Sequence, residues 1–269
     1  MTKQRLDTLL VERKLCDSRQ QAQRLIRAGS VQVNRQVIDK PGTPIQIDAV
    51  ISVAQKPPYV SRGGLKLEKA LKTFSIPVEG RICLDGGIST GGFTDCLLQA
   101  GASLVYGVDV GYGQVAWTLR QDDRTILKER TNIRHLRPDQ LYGDRPRADL
   151  GVMDVSFISL VKVLPAIYCL LAPPREIILL IKPQFEVGRD RVGKKGVVRD
   201  PQAQIDAIAQ VQQAALDLGW RSRGLTWSPI TGPAGNIEYL LWMDETTASP
   251  PLSPTIIHET VRQALDRLH

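Results

Sequence analysis

The sequence predicts an α/β protein: an open, mostly parallel sheet of seven strands with the last strand antiparallel, preceded by a small α+β module. Three observations predict it. Beyond Pro77, short apolar runs alternate with amphipathic stretches of helical period, the pattern of a parallel sheet covered on both faces. The first of those runs ends in a glycine-rich junction, Asp85-Gly86-Gly87-Ile88-Ser89-Thr90-Gly91-Gly92-Phe93. The charge is also uneven. Residues 1–62 hold eleven Lys/Arg against five Asp/Glu, an excess of +6, whereas the rest of the chain is +1. We place the module at 1–56, a proline-stiffened linker at 57–64 and the large domain at 65–269, lengths that suit one small and one medium core.

The N-terminal residues predict a helix over 5–15, with Leu6, Leu9 and Leu10 at helical spacing. Ser18 caps a second helix, Arg19–Ala28, which Gly29 ends. Short strands follow at Val31–Asn34 and Gln36–Ile38, then a third over Ile45–Val53. The set Ser18-Arg19, Ala22, Leu25-Ile26, Gly29, Val31 and Val33-Asn34 resembles the RNA-binding module of the ribosomal-protein-S-four family. That resemblance implies a two-helix face presenting Lys14, Arg19, Arg24 and Arg27 to RNA phosphates. Taken singly, each arginine reads better as an ordinary solvated charge, and it is their clustering in a basic module that favours RNA. Arg35 departs from the module, which has glycine after the Val-Asn pair, and a non-glycine residue there asks for a different turn.

In the large domain, Leu65–Phe74 reads as an amphipathic helix. Strands are predicted at 81–86, 103–109, 126–130, 149–154, 176–182, 222–228 and 237–243, and helices at 92–100, 114–121, 158–171, 201–218 and 254–268. The last two strands leave no room for a crossover helix between them and should pair antiparallel. Nothing in the composition points to a membrane: no signal-peptide pattern, and no apolar run that approaches the length of a membrane-spanning helix. Four cysteines without C-x-x-C spacing read as reduced thiols of a cytoplasmic protein, and with only three histidines no metal site is expected. The low aromatic fraction, 5%, argues against a broad base-stacking platform.

The glycine junction does not have the G-x-G-x-x-G spacing of a dinucleotide fold, which argues against a nicotinamide-linked dehydrogenase. A tight βα turn without a ligand would use the same residues. An acid, Asp109, ends the following strand, where a carboxylate can accept from ribose hydroxyls or simply cap its turn. Asp85 before the loop and Asp109 after it suit a cofactor with a ribose and no pyrophosphate, and S-adenosylmethionine leads. Its contacts are expected from Asp85, Gly86, Gly87, Ser89, Thr90, Gly91, Gly92, Phe93, Asp109 and Asp154. Lys66 on the helix before the first strand, Asp154 and Lys182 at strand ends, and Glu238 at the start of the last strand form a polar set where a ligand crevice should open.

With that set and the words Tyr59-Val60-Ser61-Arg62-Gly63-Gly64, Ser89–Asp95, Met153–Leu160, Ile181–Glu186 and Gly232–Glu238, the chain resembles the TlyA (haemolysin A) family over nearly its whole length. The resemblance implies a Rossmann-like, S-adenosylmethionine-dependent FtsJ-type methyltransferase acting on ribosomal RNA, in free form or within ribosomal subunits, by 2′-O-methylation of cytidine. It also carries the family's catalytic tetrad onto Lys66, Asp154, Lys182 and Glu238. Lys182 would take or stabilise the hydroxyl proton, helped by like-charge repulsion from Lys66, while Asp154 and Glu238 orient the lysines. Arg62 and the basic segment 187–199, with Arg189, Arg191, Lys194 and Lys195, read as RNA contacts, the segment either a mobile lid or a solvated loop. Rivals are an inactive ribosome-assembly factor and a membrane-active haemolysin. The family shows Asp-Val-Gly-Ala-Ser where this chain has Asp85-Gly86-Gly87-Ile88-Ser89. Gly86 is expected to loosen the strand end, and Ile88 to put bulk beside the donor.

Overall fold

The computed structural model describes residues 3–53, 57–246 and 250–268, so residues 54–56 at the end of the expected module lie outside it. The chain divides into two compact units, Met1–Pro57 and Pro58–His269.

The first unit runs β1 (Lys3–Arg5), α1 (Leu6–Glu12), α2 (Arg19–Arg27), β2 (Val31–Val33), β3 (Gln36–Val37), β4 (Pro44–Gln46) and β5 (Ile51–Val53). Leu6, Leu9 and Leu10 from α1 meet Ala22 and Ile26 from α2 in a small core over Val31 and Ile45. Ser18 caps α2 by accepting from Gln21 N at 3.2 Å. Two corrections concern the helices and strands. The first helix stops at Glu12, so Lys14 sits in the turn beyond it with φ 56 rather than on a helical face. The expected strand 45–53 is two strands in two sheets: β4 pairs with β1, and β5 pairs with β2, because the chain turns at Ala49, whose N–H donates to Gln46 O.

The third correction is the β2–β3 hairpin. Asn34 and Arg35 both take left-handed φ, 49 and 69, so the arginine is forced into the conformation that glycine favours instead of selecting another turn. That costs about 1 kcal/mol.

The second unit opens with α3 (Gly63–Phe74). It continues β6 (Ile82–Gly86), α4 (Gly92–Gln99), β7 (Leu104–Val108), α5 (Trp117–Arg120), β8 (Thr125–Lys128), α6 (Pro138–Tyr142), β9 (Leu150–Met153), α7 (Leu164–Leu170), β10 (Glu176–Ile181), α8 (Pro183–Glu186), α9 (Pro201–Leu218), β11 (Arg221–Trp227), β12 (Tyr239–Asp244) and α10 (Pro254–Leu268). The seven strands lie in the order β11-β12-β10-β9-β6-β7-β8. All are parallel except β12, which inserts antiparallel between β10 and β11. The central strands are apolar on both faces, as a sheet covered by helices on both sides requires: Ile177–Ile181 is at most 1% exposed throughout.

Two predicted helices are shorter than their periodicity suggested. The stretch 114–121 is helical only over Trp117–Arg120, since the preceding residues turn around Gly111 and Gly113. The stretch 158–171 breaks at Val163 into a 3₁₀ turn capped by Ser159 and α7, which restarts with Pro165 in its first turn. Helix α6 was missed. It starts with Pro138 in its first turn, where Gln140 accepts from Arg137 N at 3.0 Å.

The sheet order reverses at the β6/β9 junction, and β6 pairs with both β7 and β9. The crevice outside the carboxyl ends of these strands is the place where such a sheet binds ligands.

Candidate active site

Each of the four polar residues arrives at the same sheet edge for a topological reason. Asp154 follows the last residue of β9, and its N–H donates to Gly86 O at 2.9 Å, tying it to the end of β6. Lys182 follows β10. Because β12 runs antiparallel to β10, with Ile181 opposite Tyr239, the start of β12 lies beside the end of β10 and brings Glu238 to that edge. Lys66 comes from the first turn of α3. The result is two ion pairs. Lys66 Nζ meets Glu238 Oε2 at 2.6 Å, with both side chains buried. Lys182 Nζ meets Asp154 Oδ1 at 2.5 Å and donates to Ser156 Oγ at 2.8 Å. Each ammonium thus has its own counter-charge, which offsets the repulsion expected between the two lysines. Gly232 leaves the space Glu238 needs: a Cβ there would fall 2.7 Å from Oε1.

Two cavities flank this cluster and share Gly87, Ser89 and Asp154. The larger, about 500 Å³, lies over the ends of β6, β7 and β9 and is lined by Asp109, Gly111, Gln114, Thr131, Asn132 and Ile133 among others. The smaller, about 210 Å³, lies between the start of α3 and the glycine loop, with Arg62, Lys66, Thr90, Gly92, Phe93 and Thr231 in its wall. Thr131, Asn132 and Thr231 were not singled out from the sequence. They sit in loops without periodicity, and only the strand order reveals that they converge.

The loop itself is built by close approach. Gly87 has φ 85, and a Cβ on it would stand 2.6 Å from Asp154 O. A Cβ on Gly92 would stand 2.3 Å from Ser61 Oγ, and one on Gly91 2.2 Å from Leu119 Cδ1. Gly86 fits the strand end closely rather than loosening it, since a Cβ would lie 2.5 Å from Met153 Sδ. The bulk of Ile88 goes into the core, over Gly107, although the residue also contributes to the wall of the smaller cavity. Ser89 and Thr90 are exposed on the loop.

The two acids around the loop differ. Asp109 uses one oxygen to accept from Ser89 N and the other from Gly111 N, both at 2.7 Å, and still lines the larger cavity. A carboxylate so engaged keeps further lone pairs for a ligand. Asp85 is fully buried in β6 and lines neither cavity. Its Oδ2 accepts from Thr94 Oγ1 at 2.7 Å, and its Oδ1 has no hydrogen-bond partner among the described residues. Burial pushes its carboxyl up to about 7 against the Thr94 hydrogen bond, with Asp154 and Asp109 adding to the rise.

Among the basic residues, Arg191 is occupied: it pairs with Asp206 at 2.6 Å and Asp200 at 3.2 Å. The segment 187–199 is anchored rather than free along its length. Asn236 accepts from Val198 N at 2.9 Å and donates to Gly196 O at 2.8 Å. Arg189, Lys194, Lys195 and Arg62 are exposed. In the first unit Lys14, Arg24 and Arg27 are exposed, whereas Arg19 is held by Asp7 at 3.0 Å. Asp7, fully buried, also takes Arg5 at 2.9 Å and Gln23 at 3.0 Å. The Arg5 hydrogen bonds hold its carboxyl far below the usual carboxylate range. Sequence reading missed Asp7 and Arg5, because a helical acid beside an arginine looks like any surface pair.

Comparison with known proteins gives the same division. Residues 59–245 match the FtsJ-like methyltransferase family, and residues 4–51 match the S4 domain. The chain is 46% identical to the 16S/23S rRNA (cytidine-2′-O)-methyltransferase TlyA of Mycobacterium tuberculosis, over 97% of each chain. It is 48% identical to YqxC of Bacillus subtilis, a candidate rRNA methyltransferase, over 97% of this chain and 94% of that one. Among solved structures, a candidate hemolysin from Streptococcus thermophilus superposes with a TM-score of 0.76 at 42% identity, over 99% of this chain and 97% of that one.

Proposed function

The chain belongs to the FtsJ-like methyltransferases, in the TlyA group that also carries an S4 domain, and from that premise we propose that it methylates the ribose 2′-hydroxyl of cytidine in ribosomal RNA, with S-adenosylmethionine as donor. The observation that carries the reading is the double ion pair, Lys182–Asp154 and Lys66–Glu238, set at the strand ends between two cavities.

The residues fit the donor. A loop whose glycines leave no room for a Cβ admits close backbone approach, and Asp109 offers a carboxylate at the mouth of the larger cavity. Asp85, with one buried oxygen lacking a hydrogen-bond partner among the described residues, lies behind the loop, where a cationic donor would draw its raised carboxyl toward the ionised form. Gly87, Ser89, Asp109 and Asp154 would hold the donor; Asp85 would act from behind the loop rather than by lining it. When bound, S-adenosylmethionine supplies a methyl group already activated on a sulfonium.

The protein's part is then to orient the acceptor and accommodate its proton. Lys182 Nζ, on the larger cavity's side through Asp154 and Ser156, is the group placed to meet the 2′-oxygen and hold its proton. Asp154 fixes that nitrogen. Lys66, locked by buried Glu238, keeps a fixed positive charge in the wall of the smaller cavity, where it stabilises negative character growing on the oxygen. The exposed cations of the S4 unit, together with Arg62, Arg189, Lys194 and Lys195, would engage phosphates of RNA, free or within a ribosomal subunit. Such a substrate would place the work in the cytoplasm. Among the described residues no helix is long and apolar enough to cross a membrane, and no cluster of His, Cys, Asp or Glu has the arrangement of a metal site.

Incubation with methyl-tritiated S-adenosylmethionine and isolated ribosomal subunits tests the proposal. Label should enter RNA with the wild-type protein and not with Lys182→Ala. Transfer by the variant at the wild-type rate would exclude this role for Lys182.

A further inference from the structure

The two lysines of the site differ in one respect that their carboxylates do not explain. Among the described residues Lys66 meets Glu238 alone, whereas Lys182 meets Asp154 at 2.5 Å and, in addition, the hydroxyl of Ser156 at 2.8 Å. Ser156 is exposed and stands in the wall of the larger cavity, which Asp154 and Asp109 also line. The backbone immediately beyond it turns through a left-handed Phe157, φ 64, a conformation that costs a non-glycine residue about 1 kcal/mol.

The chemistry of the two partners is unequal. An ionised carboxylate accepts from an ammonium and from a neutral amine alike, but it carries a charge that favours the ammonium. A hydroxyl accepts without that bias. Ser156 Oγ accepts from the ammonium and, once a proton has left to water, still accepts from one of the two N–H groups of the amine while Asp154 takes the other, which leaves the lone pair in the third direction. An ammonium has three N–H groups. With two of them directed at Asp154 and Ser156, the third is confined to the remaining tetrahedral direction. A lysine held by one partner alone would rotate about its terminal bonds and lose that restriction.

We propose that Ser156 is a positioning residue for the methyl transfer: its hydroxyl holds Lys182 Nζ in both protonation states and keeps the third nitrogen position directed at the acceptor 2′-oxygen. The inference rests on the reading of Lys182 as the group that meets that oxygen. Ser156 touches neither substrate nor donor in this account, and its effect passes entirely through Lys182.

Steady-state methyl transfer by the full chain, with ribosomal subunits as acceptor, tests it through Ser156→Ala, Ser156→Val and Ser156→Thr. Losing one hydrogen bond to a charged group corresponds to a fall of about tenfold in kcat for the alanine and valine variants. Their KM for RNA should stay within about twofold of wild type, because a positioning defect of this kind acts after binding. Threonine, which keeps the hydroxyl, should recover most of the rate, while valine, of the same shape without it, should not. An alanine variant with wild-type kcat, or threonine as impaired as valine, overturns the inference. A wild-type protein that transfers no methyl overturns the functional reading on which it rests, so the two failures are distinguishable.

Discussion

The two units bury charge in opposite senses. In the first, the buried ion is an anion: Asp7 has no exposed side-chain surface, while Arg5 and Arg19, its partners, are 50% and 57% exposed. In the second, the buried ions include the cations: Lys66 and Lys182 are 10% and 9% exposed, each against its own carboxylate. An anion sunk beneath guanidinium groups orders them while leaving their outer N–H groups to solvent, which is what a surface that meets phosphates needs. A cation sunk beside a cavity has its hydration replaced by fixed protein groups and meets whatever enters the cavity without reorganising. One arrangement suits binding and the other suits chemistry, and their separation into two units matches the separation of net charge in the sequence.

The comparison can be broken at either end. The largest effect is expected at Lys182: replacement by alanine should cut methyl transfer by about 10³-fold, the scale of losing a preorganised charged group. RNA affinity, read by filter binding, should be unchanged. If affinity fell as far as rate, the cation would belong to the binding surface and the division between the units would fail.

Next in size is the opposite substitution. Asp7→Asn should weaken RNA binding by about tenfold and flatten its dependence on salt, as two guanidinium groups lose their fixed placement. The kcat at saturating RNA should not change. An unaltered salt slope would mean that Asp7 has only a folding role.

Asp85 gives a smaller effect with a definite sign. In the fold its carboxyl keeps a proton up to about pH 7, whereas in the unfolded chain it is lost near the ordinary value. The folded state therefore binds more protons between those values, and the contribution of this group to stability falls as pH rises through that window. Asp85→Asn should remove a slope of up to about 1.4 kcal/mol per pH unit. Urea unfolding followed by tryptophan fluorescence reads this, because Trp117, Trp220, Trp227 and Trp242 all lie in the second unit. Equal pH dependence in the two proteins would contradict it.

The smallest effect belongs to the strained hairpin. Arg35→Gly should stabilise the β2–β3 turn by about 1 kcal/mol. Slower amide hydrogen exchange at Ile38, whose N–H donates to Val31 O, would show it, and unchanged or faster exchange would count against it.

How much of this could be read from the sequence follows from how local each feature is. The seven-stranded sheet and its antiparallel strand were legible because apolar runs and connection lengths are local signals. So were the glycine loop and the polar residues at strand ends, Asp154, Lys182 and Glu238. The break at Val163 and the late start of α5 at Trp117 were not, because turn geometry around Gly111 and Gly113 and Pro165 interrupt stretches whose apolar spacing continues. The outcome at Arg35 was not legible either. Local rules asked for another turn, but pairing of β2 with both β3 and β5 holds the hairpin in register and imposes the left-handed backbone. Asp7, Ser156 and the loop Thr131–Asn132 escaped for a different reason. Their significance lies in what they face across the fold, and no spacing along the chain encodes that.

Nucleoside analysis of ribosomal RNA after incubation with S-adenosylmethionine tests the central claim most directly. The account predicts that digests from subunits treated with the wild-type protein contain new 2′-O-methylcytidine, and that digests from subunits treated with Lys182→Ala do not. A methyl group found on a base, or no new methylated nucleoside with the wild-type protein, would contradict it.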